Sequence, residues 1–181
     1  MALMILAHPD LNASVANKTI AEAVKKAHPS LEVRNIIEHS TNYIFDVEKE
    51  QDALLRHDLI IIQSPMYWFS FPAILKGWID QVLTYQFAYG SKGDKLKGKF
   101  FMPSLTIGQV KENFESEGTS IMDSLLLPMK KTAEYAGMNY LPPELLFDIA
   151  TVTGHTQEEI KAAASAHSER ISSVISKFPE Y

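Results

Sequence analysis

The amino-acid sequence predicts an α/β fold: an open, doubly wound sheet of five parallel strands with helices on both faces. Three observations carry that prediction. Five short strand patterns alternate with five amphipathic helical patterns along the 181 residues. The strongest strand, Leu59-Ile60-Ile61-Ile62, is apolar and β-branched with no polar alternation, the mark of a strand covered on both faces. The connections between strands are long enough to hold a helix, which implies parallel pairing and right-handed crossovers.

The elements follow in order. Leu3 to Ala7 reads as a buried strand that stops at His8-Pro9. After the loop Asp10 to Ala13, Ser14 is placed to cap a helix whose apolar stripe is Ile20, Ala23, Val24 and Ala27. Leu31 to Ile36 alternates apolar and polar residues and reads as a strand nearer an edge. Val47 to Arg56 is helical, with Val47, Leu54 and Leu55 inward, and Leu59 to Ile62 then ends at Ser64-Pro65. Pro72 opens a helix striped by Ile74, Leu75, Trp78, Ile79 and Val82. Gly90, Gly93 and nearby Gly98 make Phe87 to Lys97 a loop. Phe100 to Ile107 is a strand, followed by a polar loop reaching Gly118. Ile121 to Tyr135 is a helix that Pro128 is expected to kink. Tyr140 to Ile149 holds the last strand, and Pro142-Pro143 confine its early part to an edge or an extended lead-in. Thr156 with Glu159 forms a capping box for the final helix, striped by Ile160, Ala164, His167, Ile171, Val174, Ile175 and Phe178. No repeat, low-complexity tract or linker divides the chain, so residues 1–181 are expected to form one domain.

Composition narrows the function. Hydrophobic residues at 46% and charged residues at 22% are ordinary globular usage. Lys+Arg 17 against Asp+Glu 22 leaves a net charge of −5 without a basic cluster, which speaks against nucleic acid as a partner. The absence of cysteine removes disulfides, iron–sulfur clusters, thiolate zinc sites and cysteine nucleophiles together. Met1 to Ala7 lacks a basic region and reads as a strand, not a signal peptide. No apolar run approaches the ~18 residues of a membrane span. A cytoplasmic protein is expected.

In a sheet of this kind, ligands bind beyond the carboxyl ends of the strands. That selects the loops after Ala7, Gln63 and Ile107. The first, His8 to Asn17, joins a strand end to a helix N-terminus, where free backbone N–H groups and the helix dipole favour an anion. Ser14 and Asn17 lie one turn apart and both can address a phosphate, with His8 approaching from the strand end; Ser14 as a simple helix cap and His8 as a solvated loop residue is the competing reading. The second loop, Pro65-Met66-Tyr67-Trp68-Phe69-Ser70-Phe71-Pro72, sets four aromatics where a planar ligand is expected, the alternative being that they cover a helix or a dimer interface. The third, Thr106-Ile107-Gly108-Gln109, has little bulk at Gly108 and lets backbone approach a flat ligand.

The remaining motifs exclude more than they assign. Neither a Walker A motif nor G-x-G-x-x-G is present. The other histidines show no metal-ligand spacing; His28, His39 and His57 read as surface positions and His167 as a packed or half-exposed helix residue. Lys92, Lys95, Lys97 and Lys99 make a basic stretch that reads as a solvated loop, a phosphate-binding patch being the competing reading.

Taken together, Ala7-His8-Pro9 with Ser14 and Asn17, the block Ser64 to Asp80, and Phe87-Ala88-Tyr89-Gly90 make a pattern. It resembles the flavodoxin-like NAD(P)H:quinone oxidoreductase family, and most closely the short bacterial proteins typified by ancillary subunits of glutathione-gated potassium-efflux systems. The resemblance implies a flavodoxin-like sheet, a homodimer with two interfacial sites, and a bound flavin. Short members resemble FMN enzymes, so FMN is expected ahead of FAD, with NAD(P)H as co-substrate and a quinone or similar acceptor. Carried over by position, His8, Ser14, Val15, Ala16 and Asn17 would hold the flavin phosphate end. Pro65, Met66, Tyr67, Trp68 and Phe69 would line the ring system, and Thr106, Ile107, Gly108 and Gln109 its pyrimidine edge. In this family chemistry is carried by the flavin, so no side chain is assigned as nucleophile and no metal is expected. The chain departs from the family pattern at Ile107 and Gln109, and at Phe114 and Glu117 to Ser120, where members carry a tyrosine and a histidine. The resemblance also implies a second reading, a regulatory flavoprotein subunit docked on a membrane antiporter and peripheral to the membrane through that partner.

Overall fold

A computed structural model of the chain describes residues 1–116 and 119–178. Glu117 and Gly118, assigned above to the loop that departs from the family, lie outside the described residues. The main sheet is built from β1 (Ala2–Leu6), β2 (Glu32–Asn35), β3 (Leu59–Pro65), β4 (Phe100–Thr106), β5 (Asn139–Tyr140) and β6 (Glu144–Leu146). Between them run α1 (Val15–Ala27), α2 (Val47–Arg56), α3 (Ala73–Val82) and α4 (Met122–Tyr135), and α5 (Gln157–Ile175) follows β6. The strand order is β2-β1-β3-β4-β6, all pairs parallel, with β5 also on β4. The five expected strand positions are thus present. The fifth is two short pieces, because Pro142 and Pro143 have no N–H to donate to the ladder.

Side-chain alternation divides the strands between two layers. Met4, Leu6, Ile61 and Met102 face α1 and α5 and pack with Ile20, Val24, Ala164 and Ile171. Leu3, Ile5, Ile60, Ile62 and Phe101 face the other way, onto Leu54, Leu75, Trp78, Leu126 and Met129 of α2, α3 and α4. Leu59 to Ile62 are at most 1% exposed, as an unbroken apolar strand requires. Ser14 caps α1 by accepting from Asn17 N, and the Thr156–Glu159 capping box opens α5. Pro72 occupies the cap position of α3, and α4 continues through Pro128.

Two side-chain readings are corrected. Leu55, expected inward, is 44% exposed on the outer side of α2, whereas its neighbour Leu54 is buried. His57 is not a surface residue; it is 3% exposed, at the C-cap of α2, with Nδ1 2.7 Å from the Ala53 carbonyl. The position after Arg56 looks polar in sequence, but helix termination turns the ring inward against β2. No helix among the described residues is long and apolar enough to cross a membrane.

Candidate functional site

In the order β2-β1-β3 the first crossover runs to one side of β1 and the second returns past it to the other, which opens a crevice above the carboxyl ends of β1 and β3. A two-lobed cleft occupies this place. Its polar lobe, about 400 Å³, is lined by His8, Ser14 to Asn17, Pro65 to Tyr67, Thr106 and Gly108. Its aromatic lobe, about 350 Å³, is lined by Met66, Trp68, Phe69, Ile107, Gly108, Gln109 and Phe114. Met66 and Gly108 belong to both lobes, so the cleft is continuous. All fourteen residues selected from the three loops line one lobe or the other. Phe71, the fourth aromatic of the second loop, instead packs against the core under α3.

Hydrogen-bond accounting shows what the polar lobe offers. Ser14 Oγ accepts from Asn17 N at 3.3 Å and from Asn17 Nδ2 at 3.1 Å. A hydroxyl has two lone pairs and one hydrogen, so Ser14 keeps its O–H for another acceptor. Asn17 Nδ2 also donates to Thr106 Oγ1 at 2.9 Å, which draws the loops after β1 and β4 together. The first-turn amides of Val15 and Ala16 have no acceptor inside the helix. The lobe is therefore rich in neutral donors, and none of the described residues lining it is Lys or Arg.

His8 adds a further neutral donor. Its Nδ1 accepts from Asp10 N at 3.1 Å, which places the ring hydrogen on Nε2, 3.4 Å from Tyr67 Oη. Burial lowers the His8 pKa against the opposing pull of Asp10, so the ring is neutral at pH 7. Burial, aided by Asp10, raises that of Tyr67, which stays a phenol whose O–H is free to donate.

The aromatic lobe depends on an unusual turn. Tyr67 N donates to Ser70 O at 2.8 Å and Ser70 N to Tyr67 O at 3.0 Å. Between them Trp68 and Phe69 both take positive φ, 49° and 61°, the pattern of a type I′ turn that favours Asn-Gly. Bulky residues there cost about 1–2 kcal/mol each, and such strain concentrates at ligand sites. The turn leaves the Trp68 ring 95% exposed at the mouth of the lobe. Phe69 leans on Phe114 with centroids 6.0 Å apart, and Phe114 on Phe147 at 5.6 Å. Gly108 has a packing reason beyond an open approach: a Cβ there would come within 3.1 Å of Ala150 Cβ.

That contact identifies the part of the site that sequence reasoning missed. Ile149 to Val152 line the polar lobe, and Ala150, Val152 and Thr153 the aromatic one. The strand reading through Ile149 concealed this loop; β6 ends at Leu146, and Asp148 N donates to Gln109 O at 2.9 Å. The rule that selected the other three loops selects this one once the strand end is known. Gln63 and Ser104, both fully buried behind Asn17, were likewise not singled out.

Comparison with known proteins agrees with this architecture. The chain is 41% identical over 142 residues to the uncharacterized NAD(P)H oxidoreductase YrkL of Bacillus subtilis, covering 77% of this chain and 81% of the relative. Among solved structures, general stress protein 14 of Treponema denticola, in complex with FMN, superposes with a TM-score of 0.84 at 31% identity, covering 96% of this chain and 98% of that one. An NADPH-quinone reductase from P. pentosaceus gives a TM-score of 0.76 at 26% identity, covering 94% and 96%. A family model described as the flavodoxin-like fold matches residues 2–171, and the chain belongs to that family.

Proposed function

We propose that this protein is a flavin-dependent oxidoreductase that binds FMN in the two-lobed cleft, takes reducing equivalents from NAD(P)H and passes two electrons to a quinone-type acceptor at the same site in alternating half-reactions. One observation carries the reading. A lobe of unpaired neutral donors at a helix N-terminus is continuous with a lobe walled by exposed aromatics, which matches a ligand with a phosphate at one end and a flat ring system at the other. The FMN bound by the Treponema denticola structure and the names of the quinone reductase and NAD(P)H oxidoreductase relatives support it.

The donor set suits this ligand. The hydroxyls of Ser14 and Thr106 and the first amides of α1 would hold the phosphate, and the helix dipole favours its charge without a cation. Met66, Trp68 and Phe69 would line the ring and keep water from one side of it, while Gln109 would address its polar edge. FMN bound there supplies the acceptance and return of a hydride. The protein's part is to fix the stacking distance, on which such a transfer depends steeply, and to leave one face open at Trp68. Phe114 stands where the family carries a tyrosine and offers no proton; the Tyr67 phenol, 3.4 Å from His8 Nε2, supplies an O–H on the aromatic loop where it borders the polar lobe.

We further propose a homodimer. Tyr85, Tyr89 and Tyr135 form an exposed aromatic row, with centroids 5.7 and 5.8 Å apart, that a second copy would cover. Sedimentation of the native chain beside Tyr135→Lys tests this. For the function itself, the absorption spectrum as purified, followed by anaerobic reduction with NADH or NADPH and reoxidation with a benzoquinone, is decisive. A yellow protein bleached by the nicotinamide and restored by the quinone is expected. A colourless protein that takes up neither FMN nor FAD overturns the proposal.

A further inference from the structure

On the α1/α5 face of the sheet, a line of buried polar side chains runs from the last helix to the cleft. Arg170 Nη2 lies 2.8 Å from His167 Nδ1, and Ser104 Oγ lies 2.8 Å from His167 Nε2. Ser104 Oγ donates to Gln63 Oε1 at 2.7 Å, and Gln63 Nε2 donates to Asn17 Oδ1 at 2.8 Å. Asn17 Nδ2 then donates to Ser14 Oγ and Thr106 Oγ1. Gln63, Ser104 and His167 have no exposed surface, and Asn17 is 2% exposed. Polar groups in an apolar layer are costly unless each is satisfied, and here each finds a partner.

The donor inventory gives the line a direction. Ser104 has one hydrogen and gives it to Gln63, so its lone pair receives the His167 Nε2–H. His167 Nδ1 is then the acceptor for the Arg170 guanidinium, which can only donate. Burial first and Arg170 second push the His167 pKa down to about 4, so the ring is neutral at pH 7. Every link points the same way, toward the cleft.

We propose that this chain of side chains positions the two hydroxyls of the polar lobe: because Ser14 and Thr106 both receive from Asn17, their own hydrogens are left to donate to a phosphate monoester, and His167 sets that polarity from the far end. The identity of the phosphate ligand rests on the reading above; the direction of the chain does not. The arrangement matters because no Lys or Arg lines the lobe, so selectivity for a dianion depends on every neutral donor being aimed correctly. His167, Ser104 and Gln63 are positioning residues that act through Asn17.

Asn17 and Gln63 are amides in series, and each can reverse by turning its amide group without a change of shape. In His167→Glu the residue can only accept at this point, so Ser104 would turn its hydrogen to it and both amides would follow. Asn17 Oδ1 would then face Ser14 and Thr106 and capture their hydrogens, while Arg170 pairs with the new carboxylate. His167→Gln keeps a donor toward Ser104 and is the rescue control.

The test compares dissociation constants for FMN and riboflavin, which share the ring and differ in the phosphate, by flavin fluorescence quenching on the full chain. His167→Gln is expected to keep the wild-type ratio, and His167→Glu to lower the preference for FMN by about tenfold or more with riboflavin binding unchanged. Equal ratios in both variants and the wild type overturn the proposal. A second measurement needs neither a variant nor a ligand: the imidazole nitrogen resonances of His167 at pH 7. A neutral ring with hydrogen on Nε2 is expected, and hydrogen on Nδ1, or a charged ring, overturns the proposal. A wild type that binds neither flavin defeats the functional reading alone, and the resonances then decide the chain.

Discussion

Each face of the sheet buries a polar system, and the two are built on opposite principles. Beneath α2 and α3 the system is ionic: Glu50, 1% exposed, accepts from Arg34 Nε at 3.1 Å and from Trp78 Nε1 at 2.9 Å, and Arg34 Nη1 reaches Glu32 at 3.1 Å. It fastens β2, α2 and α3 together, and none of its members lines the cleft. Between α1 and α5 the system is neutral for most of its length and ends in the cleft. A buried ion pair clamps elements because its charges tolerate no separation. A line of neutral donors and acceptors is weaker link by link, but it carries an orientation from one end to the other.

The comparison can be broken most directly on the ionic side. Glu50→Ala leaves the Arg34 guanidinium largely buried without its principal partner, and a loss of about 3–5 kcal/mol in urea denaturation is expected, with the FMN-to-riboflavin ratio of the folded protein unchanged. A variant of full stability would show that the pair is no clamp. Acid probes the other face. The native His167 ring resists a proton that the unfolded chain accepts near pH 6.5, so stability is intact above that pH and falls as pH drops toward about 4. The total loss attributable to this ring is about 3 kcal/mol, read from urea midpoints against pH, and it is absent from His167→Gln. A similar slope in both proteins would separate His167 from the acid response.

Two smaller effects sharpen the contrast. Asn17→Ala strands Gln63 Nε2 and removes the donor to Ser14 and Thr106, for an expected loss of about 1–3 kcal/mol together with weaker FMN binding. Here, unlike at Glu50, stability and ligand affinity fall together. Trp68→Asn with Phe69→Gly supplies the residues that the turn conformation favours. A gain of about 1 kcal/mol is expected, accompanied by loss of flavin affinity as the aromatic wall disappears. Thermal unfolding and flavin titration of the same sample check both halves.

Much of this was legible in the chain itself, and the exceptions have physical causes. Alternation of strand and helix patterns sufficed for the sheet because Leu59 to Ile62 leave no doubt about a doubly covered strand. Three of the four loops around the cleft followed from the rule about strand ends. The fourth was concealed because apolar residues from Leu145 to Ile149 read as continuous strand, although Asp148 takes a φ of 56° there. Gln63 and Ser104 escaped notice because a single polar residue late in an apolar strand looks like the strand running out. His167 sat in an apolar stripe at helical spacing, where packing is the ordinary explanation; its partners come from β4 and its own next turn. Nothing in Trp68-Phe69 announces a positive φ, since neither glycine nor asparagine is present.

The prolines at 142 and 143 have an effect beyond shortening one strand. The outer rims of the sheet are β2, four residues carrying Glu32 and Arg34, and the broken pair β5 and β6 of two and three residues. Both rims are short, one carrying charge and the other interrupted by proline, features that disfavour pairing with a foreign strand. The sheet therefore meets its surroundings with side chains and proline rings along these two rims, and not with an open ladder of amides.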